Sequence, residues 1–320
     1  MADQEDIRNN EIVHEIKGMI RIYKDGSVER FMGCEFVPPS IDPQTGVQSK
    51  DVVISPENAI SARLYIPKSQ PHPSTQKSKL PLLIYFHGGA FCIETPFSPM
   101  YHNYLNSLVS AANIVAISVN YRRAPENPLP AAFEDSWESV KWAVSAEDEW
   151  VKNFADLKRV FFAGDSAGGN IAYRMGIRVG LEGLSFGAKL MGVIIVQPYF
   201  GGEVAIGSEA ANPNMENLKK LWRIACPTVR SLDDPMINPS MDPNIGKMGC
   251  ERVLVCAAEK ECLNERVWCF YEELKRSNWK GKAAIVETAG EDHIFHLYNP
   301  TGHNALALMK LLVSFINESI

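Results

Sequence analysis

The sequence predicts an α/β protein: a single domain built on a doubly wound, mostly parallel sheet, with a smaller cap over its binding edge. Three observations predict it. From residue 82 onward, short apolar runs alternate with segments of helical period. The runs are apolar at every position rather than at every second one, as in strands buried on both faces beneath crossover helices. The chain has 320 residues, a length that one α/β domain commonly fills.

The elements follow in order. Asn9 to Met19 has helical spacing, and Ile20 to Tyr23 reads as a strand. Ser69 to Lys79, rich in Ser, Pro and Lys, reads as a long hairpin connection between apolar segments. Leu82 to Phe86, Ile114 to Val119, Arg159 to Ala163, Leu190 to Val196, Arg252 to Ala257 and Ala283 to Glu287 are the expected buried strands. Tyr101 to Ala112, Ala131 to Val144, Gly169 to Gly180, Asn264 to Arg276 and His303 to Ile316 are the helices between and after them. Two stretches break the alternation. Residues 1–40 and 200–242, the second with one helix near Met215 to Ala225, are expected to form the cap, because insertions at the C-terminal ends of sheet strands cover binding crevices.

Composition narrows the function. Apolar residues make up 46% and charged residues 22%, which excludes a disordered, collagenous or coiled-coil chain. A net charge of −6, from 32 basic and 38 acidic residues, argues against a nucleic-acid partner. The most apolar stretch, Met191 to Val196, is strand-sized, and the first residues lack the basic and apolar regions of a signal peptide. A cytoplasmic protein with no membrane partner is therefore expected. Seven cysteines, an odd number, read as reduced thiols. Cys250, Cys256, Cys262 and Cys269 contain no C-x-x-C pair and have no histidine at finger spacing, so no metal site is expected.

The chemistry begins at Gly164-Asp165-Ser166-Ala167-Gly168. This G-x-S-x-G directly follows one expected strand and directly precedes a helix. So tight a turn needs glycines beside the serine, and it presents the Ser166 hydroxyl at a positive helix N-terminus. His87-Gly88-Gly89-Ala90-Phe91 follows the strand Leu82 to Phe86, and the backbone N–H groups of Gly88, Gly89 and Ala167 are candidates for holding an oxyanion. His87 itself reads as structural. A serine needs a base. Chain order Ser, acid, His favours His293, in Gly290-Glu291-Asp292-His293, with His296 as the alternative. The acid is expected just after the strand Arg252 to Ala257, at Glu261 or, second, Glu259. Phe91, Ile93, Phe200, Leu221 and Trp222 are candidate pocket residues, each of which could equally be core. Arg122 and Arg123 read as structural salt-bridge formers before substrate ligands.

These motifs carry a resemblance. HGGAF at 87–91, NYRRAPE at 120–126 with LPAAFED at 129–135, GDSAGGN at 164–170, DPMINP at 234–239 and GEDHIFHLYNP at 290–300 are similar to the plant carboxylesterases of the hormone-sensitive-lipase group. IYKDGSVER at 22–30 extends the similarity over nearly the whole chain. The resemblance implies an α/β-hydrolase fold with an N-terminal and an internal cap, no metal or other cofactor, and hydrolysis of small carboxylic esters through an acyl-serine. It implies that Asp165 and Asn170 shape the turn around Ser166. The group's acid is usually an aspartate in A-E-K-D, whereas this chain has Ala258-Glu259-Lys260-Glu261. Relatives of the group include 2-hydroxyisoflavanone dehydratases, cyclases of iboga and aspidosperma alkaloids, and the gibberellin receptor. VPPS at 37–40 and DPQTGV at 42–47 resemble the dehydratase and cyclase branch, so an alkaloid- or flavonoid-type substrate is the alternative to an ester. Retention of Ser166 and His293 disfavours the receptor.

Overall fold

The computed structural model describes residues 11–68, 79–229 and 231–318. Its first three strands, β1 (Ile12–Ile16), β2 (Ile20–Tyr23) and β3 (Val28–Arg30), form a small antiparallel sheet of their own. The helix expected over Asn9 to Met19 is therefore absent from its described part, and a strand stands there. Two turns decide the matter. Gly18 (φ 76°) reverses the chain between β1 and β2, and Asp25-Gly26 (Gly26 φ 85°) reverses it again before β3. In the second turn the Asp25 carboxylate accepts from the Ser27 amide at 2.8 Å. Ile16, Ile20 and Ile22 point inward and join the main core, while Ile12 and Val13 remain exposed.

The hairpin β4 (Gln48–Ser55) and β5 (Ile60–Ile66) opens the main sheet; neither strand was expected from periodicity. There follow β6 (Leu80–Phe86), α1 (Pro99–Ala112), β7 (Val115–Asn120), α2 (Ala131–Ser145), α3 (Glu149–Phe154), β8 (Ala155–Asp165), α4 (Ala167–Glu182) and β9 (Leu190–Val196). The chain ends with α5 (Met215–Ala225), β10 (Arg252–Ala258), α6 (Asn264–Arg276), β11 (Lys282–Thr288), the single turn α7 (Phe295–Tyr298) and α8 (His303–Asn317). The strand order is β11-β10-β9-β8-β6-β7-β5-β4, parallel except for the β4/β5 and β5/β7 pairs. All but Lys79 of the expected loop Ser69 to Lys79 lies outside the described residues, and it does not close a hairpin. β7 stands between β5 and β6.

Leu80–Phe86 is buried at every position, as the apolar run requires of a strand covered on both faces. One layer of the core packs β-sheet residues such as Leu82, Ile84, Val160 and Val193 against α2 and α4. The opposite layer packs Leu83, Ala116, Phe161 and Ile194 against α1 and α8. This doubly wound arrangement brings the C-terminal ends of β6, β8, β10 and β11 to one edge, where the loops carrying His87, Ser166, Glu261 and His293 all emerge.

Candidate active site

Ser166 sits between β8 and α4 with φ 53° and ψ −121°, a conformation that L-residues seldom adopt. The turn is held from outside: the Ser166 amide donates to the Val196 carbonyl at 3.0 Å, and the Tyr199 amide donates to the Ser166 carbonyl at 2.8 Å. The glycines are a steric requirement. A Cβ on Gly164 would overlap the Gly168 carbonyl, and one on Gly168 would overlap the Phe86 carbonyl. The side-chain amide of Asn170 donates to the Tyr199 and Met236 carbonyls, tying the start of α4 to the segment after β9.

The structure brings Ser166, His293 and Glu261 together from the ends of three strands. His293 Nε2 lies 3.0 Å from Ser166 Oγ, and its Nδ1 lies 2.7 Å from Glu261 Oε1. The Glu261 side chain is wholly buried, whereas the His293 ring is about a third exposed and open to a ligand. Burial opposes protonation of His293, but the Glu261 charge and hydrogen bond outweigh it, helped by Asp165 and Asp292. The imidazole pKa is raised above the ordinary histidine value. Glu259 turns elsewhere and accepts from the Gly290 amide at 2.6 Å. His296 is buried with neither ring nitrogen hydrogen-bonded, packed edge-on to Tyr104, and burial pushes its pKa down to about 3. It belongs to the core beneath the site.

The loop after β6 corrects one expectation. The Gly88 amide donates to the Tyr101 hydroxyl at 2.7 Å, and that hydroxyl donates to Asp165 Oδ2 at 2.7 Å. Gly88 is thus committed inward, and its glycine identity follows from crowding, since a Cβ would lie 2.5 Å from Asp165 Oδ2. The open amides are those of Gly89, Ala90 and Ala167, for which no acceptor occurs among the described residues. Gly89 and Ala90 line the cavity in front of Ser166, and Ala167 is the first residue of α4. Ala90 was missed; the signal was its place next to the second glycine of the loop. Positive φ at Gly89 (94°) and Ala90 (51°) reverses the backbone there, which no residue pattern specifies directly.

Asp165 and its neighbours hold this loop rigidly. Burial raises the Asp165 carboxyl above the usual carboxylate range, and the hydroxyls of Tyr85, at 2.6 Å, and Tyr101 pull the other way. His87 stacks on Tyr121 at 4.2 Å and is kept neutral by burial, its pKa lowered to about 3. Arg122 pairs with the buried Asp135, and Arg123 donates to the Glu94 carbonyl at 2.9 Å.

In front of Ser166 lies a cavity of about 530 Å³. Its inner wall includes Gly89, Ala90, Ile93, Glu94 and Tyr101; its outer wall comes from Ile16, Met19 and Met32 on one side and Asn212, Asn217, Leu218 and Leu221 on the other. Of the expected pocket residues, Ile93 and Leu221 line it. Phe91, Phe200 and Trp222 do not. Phe91 packs on Phe133, Tyr199 and Trp222, and Phe200 packs on Tyr173 and Phe270. Trp222 lies roughly a quarter turn around α5 from the face bearing Asn217, Leu218 and Leu221, given 3.6 residues per turn. It is driven between α5 and the main body. Tyr199 fixes the helix by donating its hydroxyl to the Leu218 carbonyl.

A strand–serine–helix turn, a histidine and an acid delivered by later loops, and open amides after β6 define the α/β hydrolases. The chain belongs to that family: the family model described as alpha/beta hydrolase fold matches residues 83–297. Within it the chain is similar to a probable carboxylesterase 2 of Arabidopsis thaliana, 44% identical over 93% of this chain and 94% of that one. It is also similar to the 2-hydroxyisoflavanone dehydratase of Glycyrrhiza echinata, 40% identical over 96% and 97%. Among solved structures, the thermostable carboxylesterase EstE1 from a metagenomic library superposes with a TM-score of 0.71 at 26% identity, covering 88% of this chain and 90% of that one.

Proposed function

We propose that the protein is a serine carboxylesterase acting on small carboxylic esters, as the names of its curated relatives suggest. The observation that carries this reading is the continuous hydrogen-bonded series Ser166–His293–Glu261 opening onto a cavity beside three unpaired amides. His293 Nε2 takes the Ser166 proton as Oγ attacks the ester carbonyl. The amides of Gly89, Ala90 and Ala167 receive the oxyanion, and one such donor is typically worth about 2.7–4 kcal/mol in the transition state. The imidazolium, stabilised by Glu261, then protonates the departing alcohol. Water, deprotonated by His293, attacks the acyl-serine and releases the acid. Of the cap expected over residues 1–40 and 200–242, residues 1–10 and 230 lie outside the described residues; the rest, which supplies Ile16, Met19, Met32, Leu218 and Leu221 to the cavity wall, serves to enclose the substrate within a single domain. A cytoplasmic location and a role in plant specialised metabolism complete the proposal.

The test is turnover of p-nitrophenyl acetate and butyrate by the wild type and by Ser166→Ala. Hydrolysis abolished in the variant supports the reading; hydrolysis that survives at the wild-type rate overturns it. A second reading is favoured by the dehydratase relative. In it His293 removes a proton from a 2-hydroxyisoflavanone-type substrate in the same cavity. Water loss from that substrate, with no ester turnover in the wild type, selects this reading over the first.

A further inference from the structure

One acidic residue in the cavity wall is used by no step above. Glu94 follows the open-amide loop, is only 5% exposed and lines the cavity with Ser166 and His293. Its backbone is held at φ 66°, a region unfavourable for a residue with a Cβ. Three partners keep it there. Arg123 donates to its carbonyl at 2.9 Å, Ser98 donates to Oε2 at 2.8 Å, and Gly33 packs so close that a Cβ would lie 2.9 Å from Oε2. The other oxygen, Oε1, has no hydrogen-bond partner among the described residues, yet it is not among the polar atoms sealed from solvent. Glu94 is one of the residues that line the cavity. The wall also carries Lys17, Asn217, Lys260 and Tyr298, none of them hydrogen-bonded to Glu94. A fixed carboxyl with one oxygen satisfied by the protein and one left without a partner at the cavity wall is half of a hydrogen bond.

We propose that Glu94 is a specificity-determining residue: its Oε1 accepts a hydrogen bond from a donor group, hydroxyl or ammonium, carried by the substrate away from the ester itself. The inference rests on the esterase reading and names the substrate class of that site. Burial raises the Glu94 carboxyl above the usual glutamate range, the Ser98 bond opposes this, Asp165 adds to it and Arg123 offsets it. A donor in the cavity relieves part of that burial cost, and an unsubstituted substrate leaves the oxygen unpaired.

The experiment compares matched esters. On the acyl side the pair is p-nitrophenyl hexanoate against its ω-hydroxy and ω-amino forms; on the alcohol side it is phenyl acetate against its para-hydroxymethyl and para-aminomethyl forms. The wild type is expected to favour at least one donor-bearing form by about tenfold or more in kcat/KM, equivalent to about 1.4 kcal/mol. In Glu94→Gln the Ser98 hydroxyl engages the amide oxygen and an N–H₂ faces the cavity, so the preference ratio is expected to collapse to near one, mainly through KM. Ser98→Ala leaves Oε1 in place and is expected to keep the preference. The hydroxyl and ammonium arms identify which donor is used. A wild type that hydrolyses all the esters without preferring any donor overturns the proposal, even if the variant does not fold. Equal loss of preference in Ser98→Ala and Glu94→Gln also overturns it, because it marks a purely structural carboxyl. Absence of hydrolysis of any ester instead removes the esterase reading itself, a distinct result.

Discussion

Replacing Glu261 by glutamine tests the electrostatic core of the site. The substitution keeps the shape of the side chain and lets its amide oxygen still accept from His293 Nδ1 across the present 2.7 Å contact. What it removes is the negative charge. With the charge centres about 4 Å apart and an effective dielectric of about 20, the attraction between carboxylate and imidazolium is about 4 kcal/mol. That stabilisation is present only when the imidazole is protonated, as it becomes during attack by Ser166. Its loss raises the barrier by a similar amount, which at 1.36 kcal/mol per decade is roughly a thousandfold in kcat. A second signature has the opposite sign from a general loss of structure. Glu261 is the main influence raising the His293 pKa against burial, so without it only the lesser carboxylates oppose burial. His293 must be neutral to accept the serine proton, and activity therefore rises with pH through its pKa. In the wild type this acid limb is expected above the ordinary histidine value of about 6.5; in Glu261→Gln it moves to lower pH while the plateau falls. Stopped or continuous p-nitrophenyl butyrate assays between pH 4 and 9 measure both. A variant that keeps more than a tenth of wild-type kcat, or whose acid limb does not move, refutes the reasoning.

Other expectations follow from the same geometry. Glu261→Asp keeps the charge but withdraws it by about one bond length, roughly 1.5 Å; kcat is expected to fall by about tenfold, far less than in the glutamine variant, in the same assay. Tyr101→Phe strips the hydroxyl shared by the Gly88 amide and Asp165 Oδ2, leaving buried polar atoms unpaired, and should lower unfolding free energy by about 2 kcal/mol in urea titration. Gly168→Ala drives a Cβ into the Phe86 carbonyl at the elbow, so a loss of more than about 3 kcal/mol, or failure to fold, is expected in the same titration; unchanged stability contradicts the packing described.

Local sequence made much of this protein legible. Strands β6 to β10 could be read because a strand buried on both faces must be apolar throughout, and Leu190–Val196 and Asn264–Arg276 have the expected bounds. The strand expected to be buried at Ala283 to Glu287 is present as β11, but at the edge of the sheet it is exposed at alternate positions, and the short helix α3 was not expected. Ser166 was legible because its backbone cannot turn so tightly without Gly164 and Gly168. His293 and Glu261 were legible in part, through chain order, with His296 and Glu259 left as alternatives. In the small N-terminal sheet β2 has the bounds expected of it, Ile20–Tyr23, whereas β1 was misread as helix because Ile12, Val13, Ile16 and Met19 also fit a helical stripe; pairing with β2, a contact between segments, settles such a run.

What the sequence determined by itself is therefore the class of fold, the elbow and the supply of chemically competent side chains, because these depend on interactions a few residues apart. Tertiary structure alone decided which amides stay open, which acid meets the histidine, and which apolar residues line the cavity. Gly88 is closed off by a tyrosine 13 positions away, Glu261 reaches a histidine 32 positions away, and Trp222 is turned from the cavity by Phe91 and Tyr199. Those choices rest on directions of backbone and side chain fixed by packing between distant segments, and no local pattern of residue types encodes a direction.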